Sequence, residues 1–98
     1  MKVFFDDLAK EEYNDAVEYY EFQIEGLGKR FKEEIKRALK TIKRFPAIGA
    51  VESGEIRRFL LHKFPYKILY SIEHDYIYII AVAHFHREPT YWIKRLKP

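Results

Sequence analysis

The chain contains no cysteine. A disulfide framework and a thiolate metal site are thereby excluded, and a reducing compartment fits. No apolar run approaches the roughly 20 residues that span a bilayer. The opening MKVFFDDLAKEEY turns acidic too early for a signal peptide. The expected setting is the cytoplasm, with no membrane contact. Internal repeats, low-complexity tracts and linkers are also missing. The 98 residues therefore read as one domain, 1–98, with a core large enough to fold alone but little to spare. Aromatics are not scarce: eight tyrosines and eight phenylalanines exceed what a small core needs, so some should reach the surface.

Charge is unevenly spread. Residues 1–25 hold two lysines against eight acids, while residues 26–98 hold sixteen Lys and Arg against seven acids. The net charge of +3 thus conceals a dipolar chain with one basic side. A basic side suits nucleic acid or an acidic protein partner, although much of it belongs to an ordinary solvated helix face.

In chain order, Lys2–Phe5 reads as a short strand, with Val3, Phe4 and Phe5 strong strand formers. Asp6 or Asp7 offers an N-cap. A first helix is expected from about Leu8 to Glu25. Ala9, Tyr13, Ala16, Val17, Tyr20, Ile24 and Leu27 form its apolar stripe, and Glu11, Glu12, Asp15 and Glu18 lie mostly outside it. Gly26 and Gly28 mark a break. A second helix, about Lys29 to Phe45, carries Phe31, Ile35, Ala38, Leu39, Ile42 and Phe45 on one face. Lys29, Lys32, Lys36, Arg37, Lys40, Lys43 and Arg44 line the other. Pro46 ends it. Helices joined by so short a turn should pair antiparallel.

Residues 46–54 read as a loop and Glu55–Phe64 as a strand. Tyr66–Glu73 alternates, with Tyr66, Ile68, Tyr70 and Ile72 on one face, as a half-buried strand does. In Tyr76–His84 both faces are apolar: Ile77, Ile79, Ala81 and Ala83 share one, and Tyr78, Ile80, Val82 and His84 the other. Such a strand is covered on both sides or central. Thr90–Leu96 is a short basic tail. The expected fold is α+β, in the order β-α-α-β-β-β, an antiparallel sheet with a helical hairpin packed on one face.

The order of elements, Phe45-Pro46-Ala47-Ile48-Gly49, Arg57-Arg58, Phe64-Pro65-Tyr66-Lys67-Ile68-Leu69-Tyr70 and the closing Ala83-His84-Phe85-His86-Arg87-Glu88-Pro89-Thr90-Tyr91-Trp92 resemble the ParE/RelE toxin superfamily. The likeness is greatest to its ParE-like, plasmid-stabilisation branch. There the closing phrase usually reads Ala-His-Gly-Arg-Arg-Asp-Pro and then an aromatic; this chain departs at Phe85 and His86. The resemblance implies the toxin of a type II toxin–antitoxin pair, growth-inhibiting when free and neutralised by a cognate antitoxin. It implies one of two targets. ParE-like toxins poison DNA gyrase and are not known as enzymes, and the motifs favour this branch. RelE-like toxins are endonucleases that cut ribosome-bound mRNA. A non-toxic binding module, or decayed toxin, is the remaining reading.

For RNA cleavage a 2′-hydroxyl needs a base, the leaving oxygen an acid, and the phosphate a set of cations. The candidates are His84, His86, Arg87 and Tyr91, delivered at the end of a rigid strand. His84 and His86, at i and i+2, share a face in extended chain. Arg57, Arg58, His62, Lys63 and Lys67 could bind the target's charge, and Tyr70 could stack on a base. An ion pair of Arg87 with Glu88 or Glu73 is the plain structural alternative, and one of Arg57 and Arg58, on opposite faces, should be a packing residue. His84-x-His86 with His62 or His74 is only a weak metal signal, so no metal and no cofactor are assigned.

Overall fold

The computed structural model describes residues 1–96. Strand β1 (Lys2–Phe5) leads into helix α1 (Asp7–Gln23), helix α2 (Leu27–Arg44), a 3-10 turn at Pro46–Ile48, and strands β2 (Ala50–Ser53), β3 (Ile56–Leu60), β4 (Tyr66–Ile72) and β5 (Tyr76–His84). A 3-10 turn at Ile93–Arg95 follows. The strands form one sheet in the order β1-β5-β4-β3-β2. No helix among the described residues is long and apolar enough to cross a membrane.

Asp6 is the N-cap of α1: its Oδ2 accepts the Leu8 N–H at 3.0 Å, removing one of the unsatisfied donors of the first turn. Glu21, at the other end of α1, accepts the N–H groups of Gly26 and Gly28 and so caps the start of α2. Gly28 is where the helices touch; a Cβ there would lie 2.7 Å from the Val17 carbonyl oxygen. The two stripes then bury Ala9, Ala16, Phe31, Ile35, Ala38 and Ile42 against Ile68, Tyr70, Ile77, Ile79 and Val82 of the sheet. Leu39, expected in the core beside Ile35, is only half-buried, and Ile24 and Phe45, at the helix ends, are exposed.

The expected α+β order is present, with four refinements. The 46–54 segment contains β2, antiparallel to β3; four residues with an irregular register and little apolar alternation gave a weak signal. The next strand ends at Leu60, because Leu61 and Phe64 turn into the helix-side core while the backbone of His62 and Lys63 binds Glu34. The sheet is mixed: β1 runs parallel to β5, pairing Lys2 with Tyr76 and Phe5 with Ile79, while the β2 to β5 meander is antiparallel.

The fourth refinement is a β-bulge. Leu69 pairs with Ala81 and Tyr70 with Ile79, which leaves Ile80 without an opposite residue. Beyond the bulge the inside–outside alternation of β5 reverses. Ile77, Ile79 and Val82 face the helices, while Ile80 and Ala81 both face the other side, where Trp92 of the tail covers them with Ile56 and Leu69. The grouping of Val82 with Ile80 expected from strict alternation is therefore corrected, and His84 lies on the helix side.

Candidate functional site

The bulge sits where β1 stops. Phe5 is the last β1 residue paired to β5, and the Asp6 N–H to Ile79 oxygen bond closes that ladder. Past it, the edge of β5 would offer unpaired backbone groups, each costly to bury without a partner. Two side chains take the place of a strand. The Glu12 carboxylate, from α1, accepts the Val82 N–H at 3.1 Å. The Arg95 guanidinium, from the tail, donates to the Ile80 oxygen at 3.0 Å. Glu12 also accepts the Tyr91 hydroxyl at 2.6 Å, and Arg87 reaches it at 3.9 Å. The guanidinium carbons of Arg87 and Arg95 lie 3.9 and 5.0 Å from the centre of the Tyr91 ring, one of them close enough for a strong cation–π contact. Burial, and then the bond to Glu12, raise the Tyr91 phenol well above its ordinary value.

The four residues expected to carry chemistry thus fall into two groups. Tyr91 and Arg87 belong to the Glu12 cluster, and the acid that Arg87 approaches is Glu12, not Glu88 or Glu73. His84 and His86 form the other group. His84 is half-buried and stands edge-on to Tyr66, ring centres 5.2 Å apart. β5 ends at His84, the chain turns, and the Arg87 N–H donates to the His84 oxygen. That turn, not a common strand face, lays the His86 ring 5.2 Å from the His84 ring. The His86 backbone N–H donates to His84 Nδ1 at 3.1 Å, so a neutral His84 carries its proton on Nε2. Among the described residues no three potential ligands converge on a metal, and neither His62 nor His74 joins the pair.

The remaining candidates are distributed as follows. Arg57 is the packing arginine: it donates to the Gly49 oxygen at 2.7 Å and the Ala47 oxygen at 3.3 Å. Arg58 and Lys67, on the face away from the helices, share Glu52, at 3.4 and 3.0 Å. His62 and Lys63 are exposed side chains in the β3–β4 turn. Tyr70, expected to stack on a base, is corrected: it is completely buried. Its hydroxyl donates to the Pro46 oxygen at 2.6 Å and accepts the Gly49 N–H at 3.0 Å. The Phe45-Pro46-Ala47-Ile48-Gly49 turn is thereby pinned to the sheet. Gly49 has no room for a Cβ, which would sit 2.6 Å from the Arg58 oxygen.

Sequence reasoning missed Glu12, Arg95, Glu52 and Glu34. For Glu12 the signal was present: it follows Ala9 by three and precedes Ala16 by four, which puts a carboxylate in the apolar stripe. Glu34 holds the corresponding place in α2, between Phe31 and Ala38.

A separate groove of about 720 Å³ runs between β1 and the helical hairpin. Val3, Phe5, Tyr13, Ile35 and Leu39 contribute its apolar lining, and Lys10, Lys29, Lys32 and Lys36 also border it.

A family model described as the ParE toxin of the type II toxin–antitoxin system parDE matches residues 3–89, from the first strand to the proline after the histidines. The chain belongs to the ParE toxin family. This toxin also shares its fold with a solved chain of the chromosomal ParDE toxin–antitoxin system from P. aeruginosa. The TM-score is 0.69 at 18% identity, over 86% of this chain and 95% of that one. No curated protein sequence matches. As a ParE-family member the chain is a type II toxin, and the cluster around Glu12 joins the end of β5 and the tail to α1.

Proposed function

We propose that this toxin acts in the cytoplasm by binding a protein target, with DNA gyrase the target its ParE-type motifs favour, and that it does not cut RNA. One observation carries the reading: the Tyr91 hydroxyl proton is committed to Glu12, and the guanidinium groups of Arg87 and Arg95, cations that a phosphate would need, lie over the Tyr91 ring. A phenol with a raised pKa, already bonded to a carboxylate, is a poor acid for a leaving oxygen and a poor base for a 2′-hydroxyl. Arg58 and Lys67 likewise already share the single carboxylate of Glu52.

The proposed antidote is a cognate antitoxin whose acidic, amphipathic segment lies in the groove between β1 and the helices. Apolar residues would meet Val3, Phe5 and Leu39, and acidic ones the lysines at its border. Attraction between such a segment and this border speeds encounter and makes it salt-sensitive.

Expression without antitoxin tests the mechanism. The expected outcome is growth arrest with DNA breaks and intact transcripts. Cut transcripts whose appearance requires His84 and His86 would move the protein to the RelE-like reading, for which the histidine pair is the supporting geometry. Normal growth with neither lesion would leave a binding module or decayed toxin.

A further inference from the structure

The outer face of the helical hairpin, turned away from the sheet, carries opposite charges on its two helices. Two contacts fix how the antiparallel helices stand beside each other. The Phe31 ring lies against both Tyr13 and Tyr20, and Gly28 sits beside Val17 and Glu21. Equal rise per residue along both helices then sets Glu18 level with Lys29, Asp15 with Lys32 and Glu11 with Lys36. One turn further, Asp7 stands level with Lys40. The acids of α1 are thus matched, position by position, by lysines of α2.

All of these side chains are exposed. Among the described residues none of them forms an ion pair within the chain. Glu33, the exposed acid of α2, stands level with the uncharged Asn14. Lys10 and Arg37 are level and alike in charge, but they border different hollows, Lys10 the groove beside β1 and Arg37 the hollow beside the β3–β4 turn. At the tip of the hairpin Phe22 is 89% and Ile24 65% exposed.

We propose that this face binds a second copy of the chain, about a two-fold axis that runs along the hairpin. Such an axis lays α1 of one copy over α2 of the other. It leaves every residue's position along the axis unchanged, so the level pairs within one chain become facing pairs between two. Each copy then supplies the acids of one ladder and the lysines of the other, and the assembly closes as a dimer. A two-fold across the hairpin would set α1 on α1, acid against acid. The axis along the hairpin also brings Phe22 and Ile24 of both copies to the same end of the contact, where they lose water together.

The strength follows from area and charge. Helices of 17 and 18 residues, roughly 26 Å long and each about 10 Å across, offer on the order of 500 Å² per copy. The pair would bury about 1,000 Å², the lower bound of a specific interface. Exposed ion pairs contribute little singly, so the dimer is weak and sensitive to salt. Lys29, Lys32 and Lys36 also border the groove beside β1, so an acidic segment seated there and a second copy exclude each other. The pairing itself rests on neither the antitoxin nor the target.

Sedimentation equilibrium of the intact chain alone tests it. At low salt the chain should dimerise at about millimolar concentration, and high salt should weaken the dimer about ten-fold. Glu11→Lys/Glu18→Lys and Lys29→Glu/Lys36→Glu, both at exposed positions, should keep the far-ultraviolet spectrum. Each should lose self-association, because like charges then meet in both ladders. Mixed in equal amounts, the two variants should pair with each other, since the reversal on α1 of one answers the reversal on α2 of the other. Lys43→Glu/Arg44→Glu makes the same change of charge beyond the ladder; it should dimerise alone and fail to pair with the α1 variant. Overturning results are a wild-type chain that stays monomeric at low salt, a reversed chain that pairs with itself as the wild type does, or failure of the mixed pair. Equal capture of the α1 variant by the Lys43→Glu/Arg44→Glu chain would overturn the assignment to this face.

Discussion

Glu12 and Arg95 lie 83 positions apart and meet two on two, Arg95 Nη1 to Glu12 Oε1 at 2.8 Å and Nη2 to Oε2 at 3.0 Å. The planar guanidinium matches the carboxylate, which gives both geometry and strength. Together they present an acceptor to Val82 and a donor to Ile80, as a strand in the position of β1 would. The pair fills the edge that β1 leaves open.

Removing one member should therefore be costly. Glu12→Ala leaves Arg95 with little solvent and no counter-charge, and leaves the Val82 N–H and Tyr91 hydroxyl without their acceptor. We expect a loss of about 3 kcal/mol or more in chemical denaturation. A loss below about 1 kcal/mol would show that the cluster is ornamental to stability.

Ile35 and Leu39 separate two depths of the same stripe. Ile35→Ala empties a site that is 2% exposed and should cost roughly 2–5 kcal/mol. Leu39→Ala, at the edge of the groove, should cost clearly less. Equal losses would contradict the observed packing.

Tyr70→Phe tests the pinned turn. It strands the Gly49 N–H and the Pro46 oxygen at a buried site and should cost about 1–3 kcal/mol. Amide exchange at Gly49 should accelerate more than at core positions of β4. Unchanged exchange at Gly49 would refute the role of the hydroxyl.

Alkali should weaken the fold through two phenols. Burial, and then the bond to Asp6, push the Tyr78 phenol up to about 12, and Tyr91 is also raised. A phenol whose folded pKa exceeds its unfolded value of about 10 binds its proton more tightly when folded. Its contribution to stability is full below pH 10 and is lost as pH climbs through the folded value. Denaturation midpoints should fall between about pH 10 and about pH 12. Tyr78→Phe should shallow that fall, and an identical slope in the variant would contradict the assignment.

His84→Ala and His86→Ala should leave growth arrest intact, since a toxin that binds a protein target does not need their proton chemistry. Growth rate after induction, compared at equal protein levels, measures this. Loss of arrest in variants that remain folded would favour RNA cleavage.

The helical hairpin and the later strands were legible because each has a strong period and a sharp stop: Asp6, Gly26, Pro46 and Pro65 punctuate where the structure changes direction. What escaped was set by tertiary partners. β2 has too few residues for a pattern and exists because β3 offers it an edge. The parallel pairing of β1 is decided by where the hairpin returns the chain, which no local run encodes. The bulge at Ile80 adds one residue to an apolar run in which every side chain is acceptable on either face, so the reversal leaves no mark. In the candidate site, His84, His86, Arg87 and Tyr91 were found by residue type. Their division into two groups was hidden, because Glu12 comes from a helix some seventy residues earlier.

The seat of β1 beside β5 also has a kinetic side. Lys2 waits for Tyr76 and Glu12 for Arg95, so both closures need nearly the whole chain in place, whereas the hairpin and the meander close over short stretches. Long closures are settled late because their entropy is lost before their contacts form. We expect β1 and the Glu12–Arg95 rung to dock last and, by the same route, to open first. In native-state exchange, amides of β1 and that of Val82 should then open together, ahead of β4.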